Sequence, residues 1–182
     1  MNTYLNQQGI PIPVIDGVYL HSKFDPIGEA EEFARTCLEK SKPNRPLLII
    51  GLGFGYHIRE LLRLVPDLEI YVIEPEQDLI SAKQNQDICQ KVKVIQGKTP
   101  KEICNQMNFI QAIAKDAIVI KHKTSYDLNA LLYQNIQSFI ANKVDFEQES
   151  MTAQLIEESA SNPDLLSQLN QIYALLEQGR HS

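Results

Sequence analysis

What this chain lacks narrows its function before any motif is read. No apolar run approaches the ~20 residues that span a bilayer. The opening MNTYLNQQGI has neither the basic nor the apolar region of a secretory signal. Cysteine is scarce: Cys37, Cys89 and Cys104 are odd in number and far apart, with no CxxC pair, as expected of free thiols in a reducing compartment. A cytoplasmic protein is the expectation. Positive charge is in deficit, 17 Lys and Arg against 23 Asp and Glu for a net charge of −6, which argues against nucleic acid or an anionic membrane as partner. His21, His57, His122 and His181 have no metal-ligand spacing and no cysteine nearby, so no metal is expected. A G-x-S-x-G elbow and a P-loop lysine are both missing, which removes common hydrolase and phosphoryl-transfer signatures. There is no internal repeat and no low-complexity tract.

What is present suffices for one globular domain with an appended element: 182 residues, 43% hydrophobic and 22% charged. Pro11 and Pro13 exclude a helix near the start, and Val14-Ile15 and Val18-Tyr19-Leu20 read as short strands turning at Asp16-Gly17. Asp25-Pro26 opens a helix with Ile27, Ala30, Phe33, Ala34, Cys37 and Leu38 on its apolar stripe. Strands are expected at Leu47–Ile50, Ile70–Ile73, Val92–Ile95 and Ala117–Ile120. Helices follow them, from Tyr56 to Leu64, Glu76 to Gln86, Pro100 toward Met107, and Asp127 to Asn142. Wholly apolar strands alternating with helices predict an α/β, Rossmann-like and mostly parallel sheet covered by helices on both faces. The division expected is a hairpin and helix packing on the core over 1–45, a Rossmann-like domain over 46–145, and a helical tail over 146–182. The tail carries a stripe from Leu165 to Leu176 that would pack on the sheet or dock on a second copy or a transferase partner.

The unit from Pro46 to Glu74 carries the most information. A strand runs into Gly51-Leu52-Gly53-Phe54-Gly55, and Tyr56 and His57 then open a helix. Glycines allow a sharp turn and close ligand approach, and the helix start offers amide donors to it. Glu74 ends the second strand, where a carboxylate can bind ribose hydroxyls. A third glycine of the dinucleotide fingerprint would fall at Tyr56, which turns the unit away from NAD. The G-x-G-x-G spacing resembles the first motif of class I S-adenosylmethionine-dependent methyltransferases. That resemblance places Gly51, Gly53 and Gly55 at the methionine moiety and Glu74 on the ribose. The methyltransferase-like pattern is incomplete: Gln96-Gly97-Lys98-Thr99 holds no acid after the third strand, and Lys121-His122-Lys123-Thr124 stands where Asp or Asn-Pro-Pro-Tyr is common.

Two segments together resemble motility accessory factor (Maf) proteins. They are Tyr19-Leu20-His21-Ser22-Lys23-Phe24-Asp25-Pro26, and Gly51 to His57 with Ile73-Glu74-Pro75. Maf proteins are linked to attaching nonulosonic acid sugars to flagellin, with a Rossmann-like domain ahead of a central glycosyltransferase domain. The resemblance implies a domain of that N-terminal type. It stops where the transferase domain would begin, so an ancillary role beside a transferase is what it implies.

Gly51, Gly53, Phe54, Gly55, Tyr56, His57 and Glu74 are thus the expected binding set for a small nucleoside-containing ligand, whether S-adenosylmethionine, a nucleotide or a nucleotide-sugar. His21 and Asp25 would join if their segment folds over the turn, although capping of the helix already explains Asp25. Lys121 and His122 would reach the same crevice and offer charge to an anion. Three functions stay open: an ancillary nucleoside-binding domain, a small methyltransferase, and a scaffolding domain with a vestigial pocket. No catalytic residue is identified.

Overall fold

The computed structural model describes residues 1–141. The chain divides into two compact units, Met1–Ile136 and Gln137–Ser182. Of the second, only residues 137–141 are described, and they are helical. The expected tail over 146–182 lies outside the described residues.

The first unit opens with an antiparallel three-stranded sheet of β1 (Asn2–Leu5), β2 (Pro11–Ile15) and β3 (Val18–Tyr19). Asp16 and Gly17 join β2 to β3 with φ of 50° and 80°, the left-handed pair a two-residue hairpin turn needs. Helix α1 (Pro26–Lys40) follows, with Asp25 accepting from the Gly28 amide at 2.8 Å. This is the cap that Asp-Pro implied. Its stripe is Ala30, Ala34 and Cys37, with Phe33 and Leu38 packed beside it, whereas Ile27 is exposed.

The second sheet contains β4 (Leu47–Ile50), β5 (Ile70–Ile73), β6 (Lys93–Ile95) and β7 (Ile118–Lys121), all parallel, in the order β6-β5-β4-β7. Leu47 and Ile49 meet α1 and α2 (Tyr56–Leu64) through Ala34, Cys37, Ile58 and Leu61. Leu48 and Ile50 point the other way, by the strand's alternation, and are just as buried. Helix α6 (Met107–Ala114) packs near β5 and β6 and buries Phe109 and Ala112. A strand covered on both faces needs no polar side, which is why the central β4 and β5 runs are buried along their whole length. The fold is a Rossmann-like α/β sheet. From β4 the chain adds β5 and β6 on one side and then returns to add β7 on the other, and such a switch point opens a crevice at the strands' carboxyl ends.

Three helices differ from expectation. The stretch after β5 is broken into α3 (Gln77–Ile80), a 3-10 turn at Lys83–Asn85 and α4 (Gln86–Cys89). The Ser81 hydroxyl donates to the Gln77 carbonyl, a contact that bends helices. The break delivers the Asn85 amide inward to the Gly53 and Leu79 carbonyls, each at 2.8 Å. The helix begun by α5 (Pro100–Cys104) ends before α6 rather than running into it, at a bend where the Gln106 side chain donates to the Gln96 and Glu102 carbonyls. After β7, α7 (Lys123–Leu128) starts at once, Asn129 interrupts it, and residues 130–136 are helical again. Among the described residues, no helix is long and apolar enough to cross a membrane.

Candidate functional site

The crevice at the switch point begins with the turn after β4. Gly51, Gly53 and Gly55 have φ of 99°, 52° and 66°, values that only glycine adopts without strain. Each hydrogen that replaces a side chain faces protein. A Cβ on Gly51 would lie 2.2 Å from the Ser125 Cβ, one on Gly53 2.4 Å from His21 Nε2, and one on Gly55 2.2 Å from the Ile88 Cδ1. The close approach that glycine permits is made by the chain's own residues.

The turn's amides are engaged in the same way. Gly51 donates to the Ile73 carbonyl at 2.9 Å, Leu52 to Glu74 Oε2 at 2.8 Å, Phe54 to His21 Nε2 at 3.0 Å, and Gly55 to the Leu52 carbonyl at 2.8 Å. Glu74 Oε1 accepts from the Glu76 amide at 3.0 Å. Glu74 is thus placed beyond β5 as expected, but its two oxygens hold the turn and the start of the next loop. Burial pushes its carboxyl up to about 7, against the Leu52, Glu76 and Gly53 amides that favour the ionised form.

Three histidines fill the rest of the crevice. His21 arrives from the segment after β3, His57 from the first turn of α2, and His122 from the end of β7. All three are buried. The rings of His57 and His122 stack with centroids 4.4 Å apart and planes 4° apart, and that of His21 lies 5.0 Å from His122 and 5.7 Å from His57. Phe33 closes one side, its ring 4.8 Å from that of His57. The hydrogen bonds assign tautomers. His57 Nε2 lies 3.1 Å from the Gly51 carbonyl, which can only accept, so that nitrogen carries the proton and Nδ1 keeps a lone pair. His57 Nδ1 is buried with no hydrogen-bond partner. His21 Nε2 accepts from Phe54, so its Nδ1 carries the proton toward Glu29 Oε2 at 3.6 Å. His122 Nδ1 pairs with Ser125 Oγ at 2.8 Å. Burial, and then the neighbouring imidazoles, hold His57 well below the usual histidine range; burial, and then His21, bring His122 to about 3.

The remaining expected residues lie apart from this centre or support it. Phe54 is buried with Leu20 and Leu79, and the Tyr56 hydroxyl donates to the Pro11 carbonyl at 2.6 Å, tying the hairpin to α2. Asp25 caps α1, and the Lys121 ammonium sits 4.0 Å over the Tyr126 ring. His21, His57 and His122, each expected at the crevice, converge there although their spacing in the chain has no metal-ligand pattern: spacing is blind to ligands contributed by separate elements. Ser125 and Asn85 carry no periodic or motif signal that distinguishes them from ordinary helix and loop residues, and Phe33 was legible only as part of the apolar stripe of α1.

These features define a Rossmann-like domain whose switch-point crevice is packed by its own side chains. No protein-family model matches the chain, and no curated protein matches it. Among solved structures, a Maf glycosyltransferase from Magnetospirillum magneticum AMB-1 is a distant neighbour, at 13% identity and a TM-score of 0.43. The match covers 76% of this chain and 31% of that one, so the chain spans about a third of that protein's length.

Two substitutions test this packing. Gly53→Ala adds backbone strain to a collision with His21, for an expected loss of about 2 kcal/mol or more in denaturant unfolding. Gly9→Ala, also at positive φ but with nothing within 4 Å, should lose only the backbone penalty of about 1 kcal/mol. Glu74 has a folded pKa raised from 4.5 to about 7. Its contribution is therefore fully present below the unfolded pKa and is lost as pH rises through the folded one. The stability of wild type minus that of Glu74→Gln should fall between pH 4.5 and 7, by on the order of 3 kcal/mol. A difference that is flat or rises across that window would show that burial does not control this carboxyl.

Proposed function

We propose that the chain is a non-catalytic Rossmann-like scaffold domain whose nucleoside crevice is vestigial. The observation that carries this reading is the engagement of the glycine turn: its Gly51, Leu52, Phe54 and Gly55 amides already have intramolecular acceptors, and its acid already has intramolecular donors. A phosphate or a methionine carboxylate arriving at Gly51 to Gly55 would displace Glu74 or His21 from bonds made in a buried site. Each such bond, left unmade, costs about 1–3 kcal/mol. The Maf-like sequence features fit such a scaffold in an ancillary position beside a sugar transferase, which would be its partner. The acidic charge balance makes nucleic acid an unsuitable partner.

A nucleoside-binding reading has one observation in its favour. Glu74 stands at the carboxyl end of β5, the place of a ribose-binding acid in this fold. Binding would then begin with release of the segment carrying His21. The same displacement is required for S-adenosylmethionine, a nucleotide or a nucleotide-sugar.

A thermal-shift panel separates the two. S-adenosylmethionine, S-adenosylhomocysteine, CMP, UDP-sugars and NAD should each leave Tm unchanged within error. A ligand bound at a hundredfold over its Kd would stabilise by about 2.7 kcal/mol, roughly 5–10 °C for a chain of this size. Such a shift with any of them, abolished by Glu74→Ala, would replace the scaffold reading with the nucleoside one.

A further inference from the structure

We propose that His21, His57 and His122 form a binding site for one divalent transition-metal ion of the zinc class, buried at the switch point of the sheet. One nitrogen from each ring lies within 4.8 Å of the other two, and the rings come from three separate elements. Imidazole-only sets favour zinc, copper, nickel or cobalt over calcium and magnesium, which prefer oxygen ligands.

Two observations point to a ligand rather than to a plug of aromatic rings. First, His57 Nδ1 is a buried lone pair with no partner, a state that costs free energy unless something binds it. Second, every ring has a polar neighbour at another nitrogen: the Gly51 carbonyl at His57 Nε2, Ser125 Oγ at His122 Nδ1 and the Glu29 carboxylate near His21 Nδ1. Carbonyls and carboxylates placed this way orient metal-bound imidazoles and raise their basicity.

Loading requires a defined movement. Zinc–nitrogen bonds of about 2.0–2.1 Å at tetrahedral angles put ligand atoms roughly 3.3–3.4 Å apart. The rings must therefore close up, and one of the stacked pair must turn so that both lone pairs reach a common point. His21 gives up a contact whichever nitrogen it offers, either the Phe54 amide or Glu29. Metal occupancy is thereby coupled to the glycine turn. Burial of all three rings suits a structural ion that clamps the hairpin segment, α2 and β7 together.

The full chain, stripped with chelator, then incubated with Zn²⁺ and desalted, should retain one Zn²⁺ per molecule and gain Tm, while Mg²⁺ and Ca²⁺ do neither. Co²⁺ should give the visible absorption of a four-coordinate site. Zn²⁺ should also shift the NMR signals of these three imidazoles and of the Phe54 amide. His57→Gln and His122→Gln should keep the far-ultraviolet circular dichroism of the parent and lose affinity at least ~100-fold. If either variant fails to fold, the imidazole shifts in the wild-type chain decide the matter alone. No retained ion, undiminished affinity in folded variants, or shifts confined to other residues would each overturn the proposal.

Discussion

Consecutive amides leave the end of β4 inside the protein, and each needs an acceptor where water is excluded. Gly51 finds one on β5, Leu52 on Glu74, Phe54 on His21 and Gly55 on the turn itself. An unmatched amide in such a place costs about 1–3 kcal/mol. This requirement explains why a carboxylate is held buried despite a pKa pushed up to about 7, and why an N-terminal segment folds across the sheet's carboxyl edge. The acid and the histidine are the turn's own acceptors.

The surrounding packing follows from that arrangement. Once His21 lies against Gly53, the space beside it is bounded by α2 and by the end of β7, which supply His57 and His122. Phe33 of α1 and Ser125 of α7 complete the wall. The break between α3 and α4 serves the same centre, because Asn85 ties the Gly53 carbonyl to α3. A Rossmann-like sheet ordinarily leaves this crevice for a ligand. Here side chains from both sides of the switch point occupy it.

Much of this was legible in the residues. The β4 and β5 runs, the Asp16-Gly17 turn, the Asp25 cap and the glycine-rich turn each follow from a local rule and lie where that rule puts them. Periodicity failed where a single side chain redirected the backbone, as Ser81 does within the segment after β5. The placement of Glu74 was legible, but its partners were not, because a motif shows where an acid stands and not which donor reaches it first. The histidine cluster lay furthest from view: its members are separated by 36 and 65 positions in the chain, and only the three-dimensional path of the N-terminal segment unites them.

Amide hydrogen exchange followed by NMR, on chelator-treated protein without added nucleoside, tests the central claim most directly. If the chain's own acceptors hold the turn, the Leu52 and Phe54 amides should exchange as slowly as the central amides of β4. That places their opening near the global unfolding free energy. Exchange at the rate of exposed loop amides, or protection that develops only when a nucleoside is added, would contradict the account.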